Sequence, residues 1–147
     1  MMTGTEAQPF CMMARVYYED TDAAGVVYHT RYLAFMERAR TEWLRQFGLS
    51  SAELARTQQV LLAVRSVRVD YRRPARLDDL LTVTTEIVSV RGASMTLRQS
   101  CLRGDELLCE GQVDLACLDA AGFRPRKLPP ELAGAATFTA IPARRNL

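Results

Sequence analysis

A short polar segment carries most of the side chains in this sequence that could do chemistry. These side chains are those of Glu19, Asp20, Asp22, Tyr28 and His29, the last being the only histidine of the chain. A carboxylate can act as a nucleophile or as a general base, and Gly25 allows the backbone to approach a bound ligand closely. The segment therefore predicts a catalytic and substrate-binding loop. The alternative is a turn shaped by Asp20 and Asp22, with His29 at the surface.

A long amphipathic helix is predicted directly after this segment, over residues 30–47. Apolar residues recur there at i, i+3, i+4 and i+7, and Gly48 fits the left-handed C-cap position. Arg40 falls inside the apolar arc, where a charge needs a partner, and Glu37 is the predicted one. The first turn of the helix would present unpaired N–H groups and the positive end of its dipole. Such a place stabilises an anion, including the oxyanion formed when an ester or thioester carbonyl is attacked.

The rest of the chain alternates with period two. This pattern predicts strands at 13–18, 60–71, 79–90, 94–102 and 107–118, and residues 50–53 fit the capping box of a short second helix. The alternation slips near Arg65, which indicates a bulge, and short turns between the later strands imply antiparallel neighbours. One amphipathic helix and one sheet can bury each other's apolar faces. We therefore predict a single α+β domain over residues 1–147, with a curved five-stranded antiparallel sheet wrapped around one long central helix. Residues 1–12 are expected to form a loose lead-in and residues 122–147 a proline-containing surface tail.

The composition excludes several classes of protein. The chain has 147 residues, of which 48% are hydrophobic and 24% charged, as in ordinary globular proteins. It contains no apolar run long enough to span a membrane and no secretory signal, so we expect a cytoplasmic protein. The net charge of +2 is too balanced to suggest nucleic acid as the main ligand.

The cysteine spacing argues against a metal site. Cys11, Cys101, Cys109 and Cys117 include no C-x-x-C pair, and one histidine cannot complete a zinc site with them. We expect four reduced thiols, with Cys109 and Cys117 packed on the apolar face of the last strand. A catalytic cysteine–histidine pair would have to use His29.

The same polar segment and the helix after it resemble a known family. Residues 15–45, RVYYEDTDAAGVVYHTRYLAFMERARTEWLR, closely resemble the signature of YbgC-type acyl-CoA thioesterases, in the 4-hydroxybenzoyl-CoA thioesterase branch of the hotdog fold. Residues 67–99 look like the central strands of that family. The match departs at Ala24, where related proteins commonly carry a second glycine. It departs again at Thr30 and Arg31, which replace a smaller or neutral pair.

The resemblance implies roles for individual residues. Asp22 would be the catalytic carboxylate, either attacking the carbonyl or activating water, and the backbone N–H of His29 would polarise that carbonyl. The His29 side chain would orient the acyl group or Asp22, Tyr28 would line the acyl pocket, and Asp20 would shape the loop. Arg91, on a strand turn near the ligands of the family, would contact the phosphates of coenzyme A. No metal or other cofactor is implied, since coenzyme A is part of the substrate.

The function implied by the resemblance is hydrolysis of acyl-CoA, or of acyl carrier protein thioesters, to a free acid and a thiol. Exposed strand edges invite pairing, so we expect a homodimer joined edge to edge and doubled into a homotetramer. The family is linked to the Tol–Pal operon and to phospholipid-synthesis proteins. Two alternatives remain: a hotdog hydratase, which pairs an aspartate with a histidine, and a non-catalytic acyl-binding or scaffold protein of the envelope or phospholipid machinery.

Overall fold

The predicted order of strands and helices is present in a computed structural model of the chain, which describes residues 8–139. The elements are strand β1 (Phe10–Arg15), one 3-10 turn (Tyr18–Asp20), helix α1 (Arg31–Arg45), short helix α2 (Ser51–Glu53) with a wider turn (Leu54–Gln58), strands β2 (Val60–Tyr71), β3 (Leu80–Arg91), β4 (Ser94–Arg103) and β5 (Glu106–Asp119), and helix α3 (Pro130–Thr139). The capping box is confirmed, because the Ser50 hydroxyl accepts a hydrogen bond from the Glu53 N–H at 3.1 Å. Gly48 has φ +74°, as the C-cap requires.

The five strands form one antiparallel sheet in the order β1-β3-β4-β5-β2. β2 and β1 are therefore the edge strands. The register between β2 and β5 shifts between Val64 and Ser66, which confirms the bulge predicted at Arg65. The α+β prediction of a five-stranded sheet with one long helix is confirmed.

Helix α1 buries one face against the sheet. Its buried residues are Tyr32, Phe35, Met36, Ala39, Trp43 and Leu44. Gly111 of β5 lies directly beneath, and a Cβ at this position would stand 3.0 Å from the Sδ atom of Met36. A side chain here would therefore require Met36 to shift by a few tenths of an ångström. Within residues 8–139, no helix combines the length and the apolar character needed to cross a membrane.

Arg40 has a different partner from the predicted one. Its guanidinium donates a hydrogen bond to the Oε1 atom of Gln99 at 2.9 Å, and no ion pair joins it to Glu37 within residues 8–139. The fully buried Gln99 also donates to the carbonyl of Met36 at 2.8 Å and to the hydroxyl of Thr85 at 2.9 Å. Burial lowers the pKa of Arg40. The neutral amide of Gln99 thus accepts a hydrogen bond from Arg40 and donates one to a helix carbonyl.

The cysteines are free thiols, and all but Cys11 are buried. Cys101 and Cys109 face each other across β4 and β5. A hydrogen bond with Cys109, together with burial, raises the pKa of Cys101, and burial also raises that of Cys117. The three buried thiols pack as small apolar groups, as predicted for Cys109 and Cys117.

The predictions for the two ends of the chain need correction. β1 begins at Phe10, inside the predicted lead-in, and pairs with β3. The predicted tail contains helix α3, whose Leu132 is fully buried in the core. Prolines made this segment look irregular, but Pro130 occupies the first position of the helix, where a missing N–H costs nothing. Residues 1–7 of the lead-in and 140–147 of the tail lie outside the described residues.

Candidate active site

The polar segment between β1 and α1 folds back on itself as a small loop. Thr21 and Val27 form an isolated antiparallel bridge, and the Asp22 N–H donates to the carbonyl of Val26 at 2.9 Å. The Gly25 N–H closes the turn by donating to the carbonyl of Asp22 at 3.0 Å. Gly25 adopts φ +79°, a conformation that favours glycine. Asp22 is therefore the first residue of a backbone-bonded turn.

The Asp22 carboxylate is exposed but held in place by the loop. Its Oδ1 atom accepts hydrogen bonds from the N–H groups of Ala24 at 2.8 Å and of Val26 at 3.4 Å. Within residues 8–139 no donor reaches its Oδ2 atom. One oxygen thus fixes the direction of the carboxylate, while the other remains available as a base or nucleophile.

Asp20, the competing carboxylate, is almost fully buried, with 3% of its surface exposed. Its Oδ2 atom accepts from the Tyr17 N–H at 2.8 Å, and its Oδ1 atom receives two guanidinium nitrogens of Arg31 at 2.9 and 2.8 Å. Both oxygens are occupied within the protein. Asp20 is therefore placed to hold the loop and not to meet a substrate.

His29 lies where the loop enters helix α1. Its carbonyl accepts a hydrogen bond from the Tyr71 hydroxyl at 2.7 Å, and burial raises the pKa of Tyr71, which keeps that phenol protonated. The N–H of His29 has no acceptor within the described part of the chain. The N-cap residue Thr30 makes no side-chain capping bond. The start of α1 therefore offers an N–H donor to an incoming anion.

The imidazole of His29 stands between two tyrosines at the mouth of a shallow pocket of about 270 Å³. The ring centroids of Tyr28 and His29 are 4.5 Å apart, and those of His29 and Tyr71 are 6.4 Å apart. The pocket is lined by Val27, His29, Tyr32, Tyr71, Arg72, Arg73 and Pro74. The lining therefore combines aromatic and aliphatic side chains with two arginines.

The segment after β2 fixes the loop from the other side. The Val27 N–H donates to the carbonyl of Ala75 at 2.8 Å, and the Ala75 N–H donates to the Tyr32 hydroxyl at 2.9 Å. Val26 and Arg76 form a further isolated bridge. Three separate parts of the chain, the loop, α1 and the end of β2, are thus bonded together at this point.

The structure brings together four of the five predicted site residues. Asp22, Gly25, Tyr28 and His29 share the loop. Arg91 is at the end of strand β3 that lies away from the loop, and a strand of 12 residues is about 35–40 Å long at about 3.3 Å per residue. There it lines a separate cavity of about 340 Å³ with Arg65 and Asp114. Within one chain, Arg91 does not approach Asp22.

Sequence reasoning missed Tyr71 and Tyr32 as neighbours of the site. Tyr71 bonds a residue 42 positions earlier, and nothing in the local pattern of β2 indicates such a contact. The only signal was that β2 ends at the Arg72-Arg73-Pro74 break. Within residues 8–139, no three histidine, cysteine, aspartate or glutamate side chains converge in an arrangement that could hold a metal ion.

Comparison with known proteins identifies the family. Residues 16–136 match the model of the thioesterase-like superfamily. The chain belongs to this superfamily. It is 44% identical over 126 residues to the acyl-CoA thioesterase YbgC of Haemophilus influenzae, covering 86% of this chain and 93% of that protein. It is 48% identical over 119 residues to the acyl-CoA thioester hydrolase YbgC of Escherichia coli O157:H7, covering 80% and 88%.

Solved structures of the superfamily have the same fold. A probable thioesterase from Bartonella henselae is 38% identical with a TM-score of 0.79, covering 83% of this chain and all (100%) of that chain. A 1,4-dihydroxy-2-naphthoyl-CoA thioesterase from Synechocystis is 24% identical with a TM-score of 0.81, covering 88% and 96%. The hotdog fold and the resemblance to YbgC-type thioesterases are both confirmed.

Proposed function

We propose that this protein, an acyl-CoA thioesterase, hydrolyses its substrate with the Asp22 carboxylate and the backbone N–H of His29. The supporting observation is the arrangement of Asp22. One carboxylate oxygen is fixed by two backbone N–H groups, and the other has no donor within the described residues. The same loop leads to the unpaired N–H at the start of α1. A thioesterase needs both a group that starts the attack and a donor for the resulting oxyanion.

The reaction adds water across the thioester bond and releases a carboxylic acid and coenzyme A. The His29 N–H, strengthened by the α1 dipole, stabilises the negative charge that develops on the carbonyl oxygen. Asp22 either removes a proton from the attacking water or attacks the carbonyl itself, in which case water then cleaves the mixed anhydride. In both routes the thiolate leaves and takes up a proton. Neither route requires a metal or a redox cofactor.

The other loop residues shape the acyl site in this proposal. The His29 imidazole lines the pocket, whereas Tyr28 is outside that lining. The Tyr28 ring is 48% exposed, and its centroid is 4.5 Å from that of His29, so it would extend this wall for the acyl group. Gly25 keeps the turn beside Asp22 free of a side chain. Tyr71 holds the His29 carbonyl and thereby fixes the peptide that precedes α1.

We further propose that two copies of the chain complete the coenzyme A site. β2 is an edge strand, and its Val64, Val67 and Tyr71 side chains are 48%, 41% and 49% exposed. Antiparallel pairing of β2 with the same strand of a second copy would place the Val60 end of each beside the Tyr71 end of the other.

This pairing gives the distant Arg91 a role. Across neighbouring strands, Arg91 pairs with Ser94, Ser94 pairs with Ala116, and Ala116 pairs with Ala63. Arg91 therefore lies on the same row of the sheet as Ala63, near the Val60 end of β2. In the proposed dimer, Arg91 of one copy therefore approaches the end of the sheet that carries His29 of the other. There it would contact the phosphates of coenzyme A. Such dimers would pair into a tetramer.

The proposal also includes the thiol carrier of the substrate and the cellular location of the protein. Acyl carrier protein is the alternative carrier to coenzyme A, and a cytoplasmic location with Tol–Pal or phospholipid-synthesis partners follows the family. We retain the hydratase and the scaffold protein only as outcomes of the experiment.

The experiment measures release of free thiol from short, long and aromatic acyl-CoAs and from acyl carrier protein thioesters. The Asp22→Asn variant serves as the blank, because it retains the exposed Cys11 that also reacts with thiol reagents. We expect steady-state thiol release from at least one acyl-CoA class by the wild type only. Hydration of an enoyl-CoA without thiol release would support a hydratase. Binding without any turnover would support a scaffold.

A further inference from the structure

An ion pair between a partly exposed arginine and a buried aspartate joins the two ends of the active-site loop. Arg31, in the first turn of α1, places Nε at 2.9 Å and Nη2 at 2.8 Å from the Oδ1 atom of Asp20. The Asp20 side chain is 4% exposed and that of Arg31 is 30% exposed. This contact is more shielded than the surface pairs of α1, such as Arg45 with Glu42, whose side chains are 59% and 47% exposed.

Asp20 also receives bonds from the backbone on both sides of the loop. The Tyr17 N–H donates to its Oδ2 atom at 2.8 Å, and the Tyr28 N–H donates to its carbonyl at 2.9 Å. The Arg31 N–H in turn donates to the carbonyl of Tyr28 at 2.9 Å. Asp22 and the His29 N–H both lie between these fixed points.

The position of Arg31 is electrostatically unusual. A cation in the first turn of a helix opposes the helix dipole, and exposed helices favour acidic residues there. Helix α1 has no acidic residue in its first turn. The buried carboxylate of Asp20 neutralises the Arg31 guanidinium. It also places beside the helix N-terminus the negative charge that the first turn itself lacks. Buried ion pairs of this kind fix geometry more than they add net stability.

We propose that Arg31 is a positioning residue for thioester hydrolysis. Through Asp20, it holds the loop at the start of α1, so that Asp22 and the His29 N–H keep the spacing needed to act on one carbonyl. This inference rests on the proposed function of Asp22 and His29. It adds that the rate depends on a side chain that touches neither the substrate nor the reacting atoms.

The test compares Arg31→Met with Arg45→Met, which breaks an exposed ion pair on the same helix. A displacement of about 1 Å in a catalytic group can lower the rate about 100-fold. We therefore expect Arg31→Met to lower kcat about 10- to 100-fold with KM nearly unchanged, and Arg45→Met to behave as the wild type. Arg31→Lys should recover part of kcat, because one ammonium restores the charge but not the two-nitrogen contact. Unchanged kcat in Arg31→Met, or a rise in KM alone, would overturn the proposal.

A double variant separates positioning from general damage. If Arg31 acts by placing Asp22, then Asp22→Asn combined with Arg31→Met should lose little more kcat than Asp22→Asn alone. Fully additive losses would overturn the proposal. Wild-type turnover in Asp22→Asn would refute the assigned carboxylate and the Arg31 proposal together, whereas an inactive Asp22→Asn beside a fully active Arg31→Met would refute only the latter.

Folding is controlled with a second pair of substitutions. Arg31→Met leaves the buried Asp20 charge without its partner, which can unfold a protein. Asp20→Asn combined with Arg31→Met removes both charges and keeps an acceptor for the Tyr17 N–H. We expect this protein to be folded by circular dichroism and still to show the lowered kcat. A folded double variant with wild-type kcat would also overturn the proposal.

Discussion

Replacement of Asp22 by asparagine tests the proposed chemistry with little disturbance of the loop. An asparagine oxygen can still accept from the N–H groups of Ala24 and Val26, which bind the Oδ1 atom of Asp22 at 2.8 and 3.4 Å. These two hydrogen bonds become weaker because the acceptor is no longer charged. The substitution should therefore lower the free energy of unfolding by about 1 kcal/mol at most. The second oxygen, which has no donor within the described residues, becomes an amide that can neither remove a proton nor attack a carbonyl.

The expected loss of rate follows from that second oxygen. A positioned acid–base or nucleophilic group contributes about 10²- to 10⁴-fold, so kcat should fall by this factor. At about 1.36 kcal/mol for each factor of ten, this corresponds to about 3–5 kcal/mol of transition-state stabilisation. KM for acyl-CoA should change little, because the pocket walls and the arginines remain.

The assay is steady-state thiol release from the best acyl-CoA, measured for the wild type, Asp22→Asn and Glu19→Gln. Glu19 is an exposed carboxylate on the same segment and is the matched control. We expect Asp22→Asn to lose turnover and Glu19→Gln to keep the wild-type kcat. Near wild-type turnover in Asp22→Asn would refute the reasoning. Asp20→Asn is unsuitable as a control, because Asp20 is buried against Arg31.

The remaining predictions concern the thiols, coenzyme A, the assembly and the core. Cys109→Ala should lower the free energy of unfolding by about 1–3 kcal/mol and leave kcat intact, and an inactive but folded variant would restore a catalytic role for cysteine. Arg91→Ala should raise KM for acyl-CoA, weaken its salt dependence and change kcat less, whereas an unchanged KM would place Arg91 outside the site. Light scattering should show a dimer or a tetramer, and a fully active monomer would contradict the shared site. Gly111→Ala should destabilise the fold by about 1–3 kcal/mol in denaturant titration, since its Cβ would stand 3.0 Å from Met36 Sδ, and unchanged stability would show that Met36 can move aside.

The regular elements could be predicted from the sequence because their signals are local. β2 spans Val60–Tyr71 as predicted, and α1 spans Arg31–Arg45 within the predicted 30–47. A period of two or of 3.6 residues is read from neighbouring positions and needs no knowledge of distant contacts. The bulge at Arg65 was visible for the same reason, since one extra residue shifts the alternation of a strand.

The errors concern contacts between distant parts of the chain. Arg40 was assigned to Glu37 because both lie on one helix, but Gln99, 59 residues away, reaches it from the sheet. Helix α3 was missed because its prolines suggested an irregular tail, although its Leu132 is fully buried. Each error reflects tertiary packing that no local pattern contains.

The candidate residues of the site could be selected from the sequence, but the contacts that support them could not. Asp22, Gly25, Tyr28 and His29 were singled out because carboxylates, a glycine and a histidine precede a helix. Their roles remain predictions. The sequence could not indicate that the Tyr71 end of β2 meets the loop, because this contact joins residues that are 42 positions apart.

Strand β2 connects catalysis with assembly in the proposed mechanism. At its Tyr71 end, the phenol donates to the His29 carbonyl at 2.7 Å and so fixes the peptide next to the proposed oxyanion donor. Along its outer edge, the same strand would pair with a second copy. Pairing would cover the exposed face of Tyr71 and hold the strand straight against the loop. Dissociation of the dimer would therefore alter the position of Tyr71 and, through its hydrogen bond, that of His29. We expect dissociation to lower kcat as well as the affinity for coenzyme A.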